Sequence, residues 1–227
     1  MKAKIITLKG NYTSEKCAYD CVQQAKNFGI EVEYFDAIDG WNYPEHLKKL
    51  NIKPKYNFKG GRPGVYGCFL SHYYLWLECV QNNVPYLILE HDGYFIRPLP
   101  NNLLQTFSDV LKLDEEDPFA LDYDKQVQKD KPFEIKKYRN IHTKNTSRAM
   151  TGNYIRGAYA YIIKPHAASK ILQWISQNGF VPADQQIGSF IVDIRSIVPT
   201  IARLHPRYND ETVLEDSLTR NSILLLT

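Results

Sequence analysis

The sequence predicts an α/β fold in which a mostly parallel central sheet is flanked by helices. Three observations carry that prediction. Residues 2–36 read strand, helix, strand, the way a parallel pair opens. A short apolar strand, Tyr86 to Leu89, runs directly into the turn Glu90-His91-Asp92. Tyr154 to Ile163 is apolar and aromatic, a core strand, and Pro165 after it sits at the favoured first position of a helix.

The elements follow in order. Lys2 to Leu8 reads as a buried strand through Ala3, Ile5, Ile6 and Leu8. Ser14 is the natural N-cap of a helix over Glu15 to Phe28, whose apolar residues recur at helical spacing until Gly29 stops it. Ile30 to Phe35 alternates as a strand. Residues 39–63 are rich in glycine and proline and read as loop. Val65 to Gln81 is long and apolar, with Phe69, Tyr73, Trp76, Leu77 and Val80 on one helical face; Asn83 and Pro85 end it. Asn101 to Leu113 reads as a helix and Phe119 to Leu121 as a strand fragment. Tyr123 to Thr151 has no clean period and reads as a long loop. After the Pro165 helix, which Gly179 ends, Val192 to Pro199 and Thr200 to Leu204 read as strands.

Length and composition bound the class. The chain has 227 residues, 44% hydrophobic and 23% charged, which fits a single globular domain over 1–227 and excludes long disorder and collagen-like repeats. Four cysteines are too few for a disulfide scaffold, and no apolar run approaches the roughly 18 residues of a membrane span. No secretory signal is visible, so a cytoplasmic protein is expected. The net charge of +3 conceals a division: residues 43–64 and 123–151 each carry an excess of five positive charges, leaving −7 elsewhere. One such run is usually a solvated loop. Two together suggest a phosphate-bearing ligand or a polyanionic acceptor.

Three constellations carry chemistry. Ligands of open α/β sheets bind at the carboxyl ends of strands, where Glu90 and Asp92 stand. Two acids one residue apart can share Mg²⁺ or Mn²⁺ and so serve a diphosphate; equally, they can be a capping turn. Gly64 and Gly67 ahead of Ser71 and His72 permit close ligand approach, with His72 bonded to a phosphate or sugar hydroxyl, or simply buried against backbone. Asp184, after Val181-Pro182, is a candidate general base or a helix cap. The cysteines, Cys68 among them, read as core residues.

Together these stretches resemble glycosyltransferase family 25. Tyr34 to Gly40 is similar to its F-D-A-x-D-G segment, and Gly67-Cys68 with Ser71-His72 and Trp76 to its G-C-x-x-S-H-x-x-x-W helix. Leu87 to Asp92 resembles its strand ending in E-D-D. Gly157 to Ile163 with the alanine-rich helix behind it, and Pro182-Ala183-Asp184, resemble two further elements. The resemblance implies a GT-A-type domain, a UDP-hexose donor and Mn²⁺ or Mg²⁺ as cofactor. It assigns the metal to Asp92 and Glu90 with His91, and donor binding to Asp36, Asp39, Gly40, Gly67, Ser71, His72 and Glu90. Asp92 and Asp184 become the catalytic acids. His91 departs from the family's middle acid: it joins the ligands, points away, or weakens the site. Lys16, where many members carry arginine, can meet a phosphate as a point charge.

The leading expectation is therefore transfer of a sugar to a glycan or lipid-linked saccharide, as in lipopolysaccharide biosynthesis. The basic loops raise DNA modification, sugar transfer to a hydroxylated base in DNA, as an alternative. A catalytically degenerate nucleotide-sugar-binding module is the reading of another class.

Overall fold

The computed structural model describes residues 1–56, 62–114, 132–139 and 153–206. It opens with β1 (Lys2–Thr7), α1 (Tyr12–Asn27) and β2 (Glu33–Asp36), the predicted strand–helix–strand unit. The cap of α1 differs from the expectation. Asn11 Oδ1 accepts from the Ser14 N–H, while Ser14 Oγ turns inward to accept from the Leu8 N–H. Next come α2 (Tyr43–Leu50), α3 (Pro63–Asn82), β3 (Tyr86–Glu90) and β4 (Gly93–Phe95). They are followed by β5 (Val110–Lys112), β6 (Glu134–Lys137), β7 (Ala160–Ile163) and α4 (Pro165–Asn178). The described chain closes with α5 (Ala183–Gln186), β8 (Ile194–Val198) and β9 (Ala202–Leu204).

Seven strands form one sheet in the order β2-β1-β3-β7-β5-β8-β6. β1 is parallel to β2 and β3, and β5 to β8. β7 runs against both of its neighbours, and β6 against β8. Five strands thus share one direction, as the α/β reading expects, and β7 and β6 oppose them. β4 and β9 pair separately as a small antiparallel ladder.

Both faces of the sheet are covered, which is why β3 reads as a continuous apolar run rather than an alternation. Tyr86 and Ile88 pack into one core with Leu70 and Trp76 of α3 and Ile171 of α4. Leu87 and Leu89 face the opposite core with Ala18 and Cys21 of α1. Strand alternation then assigns Glu90 to the α3 side. Tyr161, register partner of Ile88, lies on that side too.

Several expectations are corrected. Residues 43–50, read as loop, form α2, opened by Pro44 in its first turn. The helix expected over 101–113 is only a 3₁₀ turn at Leu103–Gln105 followed by β5. All three β5 residues are buried, and a short apolar run of that kind has no period that separates strand from helix. The strand expected from Tyr154 shrinks to β7, because Gly157 breaks it with φ +72°. Within the expected loop 123–151, residues 134–137 form β6; most of the rest, with the fragment at 119–121 and the tail after 207, lies outside the described residues.

Candidate functional site

The carboxyl end of β3 brings together residues from three elements. Glu90 ends the strand, Cys68 and His72 lie one turn apart on α3, and Tyr161 comes from β7. A hydrogen-bonded chain runs through them. Trp76 Nε1–H donates to Tyr161 Oη at 2.9 Å, Tyr161 Oη lies 2.8 Å from His72 Nδ1, and His72 Nε2 lies 3.1 Å from Glu90 Oε1. Trp76 can only donate, so the Tyr161 hydroxyl proton is free to go to His72 Nδ1, leaving Nε2–H to donate to Glu90. The Cys68 thiol donates to the same Glu90 oxygen at 3.6 Å. Trp76, His72 and Tyr161 are fully buried, while the Glu90 side chain keeps 27% of its exposure. Burial alone would raise the Glu90 carboxyl; the bond and charge of His72, with His91 and Cys68, outweigh it and hold the group below its ordinary range.

Asp92 stands two residues on, in a different setting. Among the described residues its Oδ1 is buried without a hydrogen-bond partner. Desolvation, with a further push from Glu90 against the pull of His91, raises its carboxyl to about 6. The capping alternative therefore does not account for Oδ1. The main chain here is firmly held: His205 N–H donates to Asp92 O at 2.7 Å, and the Cys21 thiol of α1 reaches His91 O at 3.4 Å. Gly93 is required next, since a Cβ there would lie 2.3 Å from Tyr159 O.

Asp184 sits in the first turn of α5, with Oδ1 accepting from the Gln185 N–H at 2.8 Å. Desolvation and then Glu90 push it up to about 6, against the Gln185 bond and His72. It feels Glu90 and His72, and Cys68 feels Asp184, so the candidate base belongs to the same cluster. Asp184 thus acts electrostatically on the Glu90 end of β3.

Other predicted residues are placed elsewhere in role. Ser71 is fully buried; its hydroxyl donates to Gly67 O at 2.7 Å and accepts from the Ile38 N–H at 2.9 Å. It therefore holds the loop after β2 against α3, away from the surface. Gly67 answers to the same crossing: a Cβ there would lie 2.6 Å from Ile38 O, and one at Gly40 would lie 1.8 Å from Pro63 O. Backbone packing, rather than ligand approach, requires both glycines. Asp39 caps the 3₁₀ turn Gly40–Asn42 through the Trp41 N–H. Asp36 is exposed near Lys9, 3.7 Å away. His72 bonds side chains rather than backbone, beneath Glu90. Lys16 is engaged by Asp20 one turn along α1.

The sequence reading missed Cys68 and Tyr161. A signal existed for the first, since Cys68 and His72 have the i, i+4 spacing of one helix face. None existed for Tyr161, whose contact with His72 spans 89 positions.

Comparison with known proteins adds the following. The family described as Glycosyltransferase family 25 (LPS biosynthesis protein) matches residues 5–187. A glycosyltransferase 25 family member of Aedes aegypti is 25% identical over 70% of this chain and 26% of its own length. The procollagen lysyl hydroxylase and glycosyltransferase of Acanthamoeba polyphaga mimivirus is 28% identical over 71% of this chain and 18% of its own. Human procollagen galactosyltransferase 2 is 26% identical over 69% and 25%. The chain thus spans about a quarter or less of each relative. Among solved structures, mouse xyloside xylosyltransferase 1 aligns with a TM-score of 0.42 and 10% identity, over 82% of this chain and 80% of that one.

Proposed function

Because the chain belongs to glycosyltransferase family 25, we propose that it transfers a hexose from a nucleotide-sugar donor, a UDP-hexose, to a hydroxyl of a glycan acceptor. The observation that carries the reading is Asp92 Oδ1, buried and unpaired among the described residues, two positions after Glu90 at the carboxyl end of β3. A buried carboxylate oxygen without a partner is costly in isolation and fits a hard cation. Glu90 and Asp92, with His91 beside them, would hold Mn²⁺ or Mg²⁺. Bound there, such an ion supplies neutralisation of the charge that builds on the leaving diphosphate.

The chain's own groups do the rest. Glu90 has one oxygen engaged by His72 and Cys68, so its orientation is fixed before any ligand arrives. Asp184, raised to about 6, is ionised at neutral pH yet more basic than an ordinary aspartate. It accepts the proton of the acceptor hydroxyl as that oxygen attacks the anomeric carbon. The exposed part of Glu90 admits the donor, while His72, Tyr161 and Trp76 lie fully buried beneath it.

The test is a donor screen on the full chain with Mn²⁺, following nucleotide release, first with UDP-galactose given the name of the human relative. Release that requires Mn²⁺ and disappears in Asp92→Ala supports the reading; release indifferent to Asp92→Ala removes the metal assignment. Nucleotide-sugar binding by calorimetry without turnover on any acceptor would instead identify a binding module.

A second reading of the acceptor has its own observation. Lys48, Lys49, Lys53 and Lys55 are all exposed on and after α2, a basic surface suited to a polyanion such as DNA. Binding to duplex DNA that weakens steeply between 50 and about 200 mM salt favours it; no binding at low salt removes it.

A further inference from the structure

Three side chains meet beside the proposed oxygen site in a pattern of another kind. Cys68 Sγ, His72 Nε2 and Glu90 Oε1 all lie within 4.8 Å of one another. Sγ to Oε1 is 3.6 Å, and Nε2 to Oε1 is 3.1 Å. A tetrahedral zinc ion, with Zn–S about 2.3 Å and Zn–N and Zn–O about 2.0–2.1 Å, holds its sulfur and oxygen ligands about 3.5 Å apart. By the same geometry its nitrogen and oxygen ligands stand about 3.3 Å apart. The observed separations match both to about 0.2 Å.

We infer that Cys68, His72 and Glu90 form a binding site for a thiophilic divalent cation of the Zn²⁺ class, sharing Glu90 with the proposed hard-cation site at Glu90 and Asp92. The ligand chemistry separates the two sites. Thiolate and imidazole select zinc-like ions, whereas paired carboxylates suit Mn²⁺ and Mg²⁺. The two ligands on α3 are one turn apart, so a helix already held by its buried face presents them together. His72 also has the outer partner that metal-binding histidines use: its Nδ1 faces Tyr161 Oη at 2.8 Å. On binding, the Cys68 thiol proton leaves to solvent. The His72 proton moves from Nε2 to Nδ1, and Tyr161 Oη then accepts from both His72 and Trp76. The exposed part of Glu90 leaves a fourth position open to water or to a substrate oxygen.

The site draws on Glu90, which the transfer reading also uses, so occupation by Zn²⁺ opposes turnover. That consequence rests on the proposed function; the site itself does not. The experiment therefore reads the ion first. Titration of the full chain with Co²⁺ is expected to give a thiolate-to-cobalt charge-transfer band at one ion per chain, removed by Zn²⁺ and lost in Cys68→Ser. Absence of the band, or its survival in Cys68→Ser, overturns the site. Wild-type protein gives a check free of any substitution. Zn²⁺ is expected to slow alkylation of Cys68 by N-ethylmaleimide at least tenfold, read by peptide mass; an unchanged rate counts against the site. In the activity assay Cys68→Ser is expected to need at least tenfold more Zn²⁺ for inhibition. A cobalt band together with turnover indifferent to Zn²⁺ leaves the site in place and removes Glu90 from the transfer mechanism.

Discussion

On the α3 side of the turn after β3, Glu90 meets His72 and Cys68 and its carboxyl is held below the ordinary range. Two residues on in the same turn, Asp92 keeps a buried oxygen with no partner among the described residues, and desolvation raises its carboxyl to about 6. The two acids are two residues apart and share a strand end. The difference comes from the partners supplied: α3 brings a histidine and a thiol to Glu90, whereas the Cys21 thiol of α1 reaches the His91 carbonyl rather than the Asp92 side chain. One carboxylate is therefore oriented by the fold, and the other is the one the proposed cation would satisfy. A satisfied group supports stability, whereas an unsatisfied one points to function.

Four substitutions sharpen or break this contrast. The largest effect belongs to Asp92→Asn: nucleotide release is expected to fall by roughly 10³, with a melting temperature equal to or above that of wild type. Retained turnover, or a clear loss of melting temperature, would show that Asp92 serves the fold and not the transfer. His72→Leu should do the reverse. It leaves Glu90 and Tyr161 without their shared partner and is expected to cost about 3 kcal/mol in urea unfolding.

Asp184→Asn extends the contrast to the third acid. The folded-state pKa of Asp184 is raised, so its protonated form favours folding below about pH 4 and that contribution is lost as pH rises through 6. The asparagine variant is accordingly expected to be about 2 kcal/mol more stable than wild type at pH 7, with the gain vanishing at pH 4. A gain independent of pH would assign the effect to packing. Tyr161→Phe is the smallest: it removes one partner of His72 and of Trp76, at about 1 kcal/mol, while melting curves stay cooperative.

What the sequence made legible follows from how each signal is encoded. α1, α3, β1, β3 and α4 announce themselves through periodicity and caps within one segment. α2 was hidden because eight residues with proline at the second, and with no fully buried position, leave little apolar pattern. β5 was hidden because a buried three-residue strand and a helix fragment look alike. At the site, Glu90 and Asp92 were visible as acids after an apolar strand. The inward roles of Ser71 and Gly67 were not, since each depends on where the residues 36–40 cross α3. A crossing between segments about 30 positions apart leaves no local trace, as the Ser71 bond to Ile38 at a separation of 33 shows.

That crossing also constrains how the protein can change. Gly40 and Gly67 bring two backbones so close that neither tolerates a methyl group, and Ser71 pins the intervening amide. Inserting or deleting a residue between Asp36 and Gly40 would move the glycines out of register with α3. The loop's length is thereby frozen, while exposed side chains beside it, such as the 76% exposed Trp41, stay free to vary. New specificities at this rim are reachable by exchanging side chains on a fixed track, and libraries that randomise residues without altering length are the ones in which folded variants should be found.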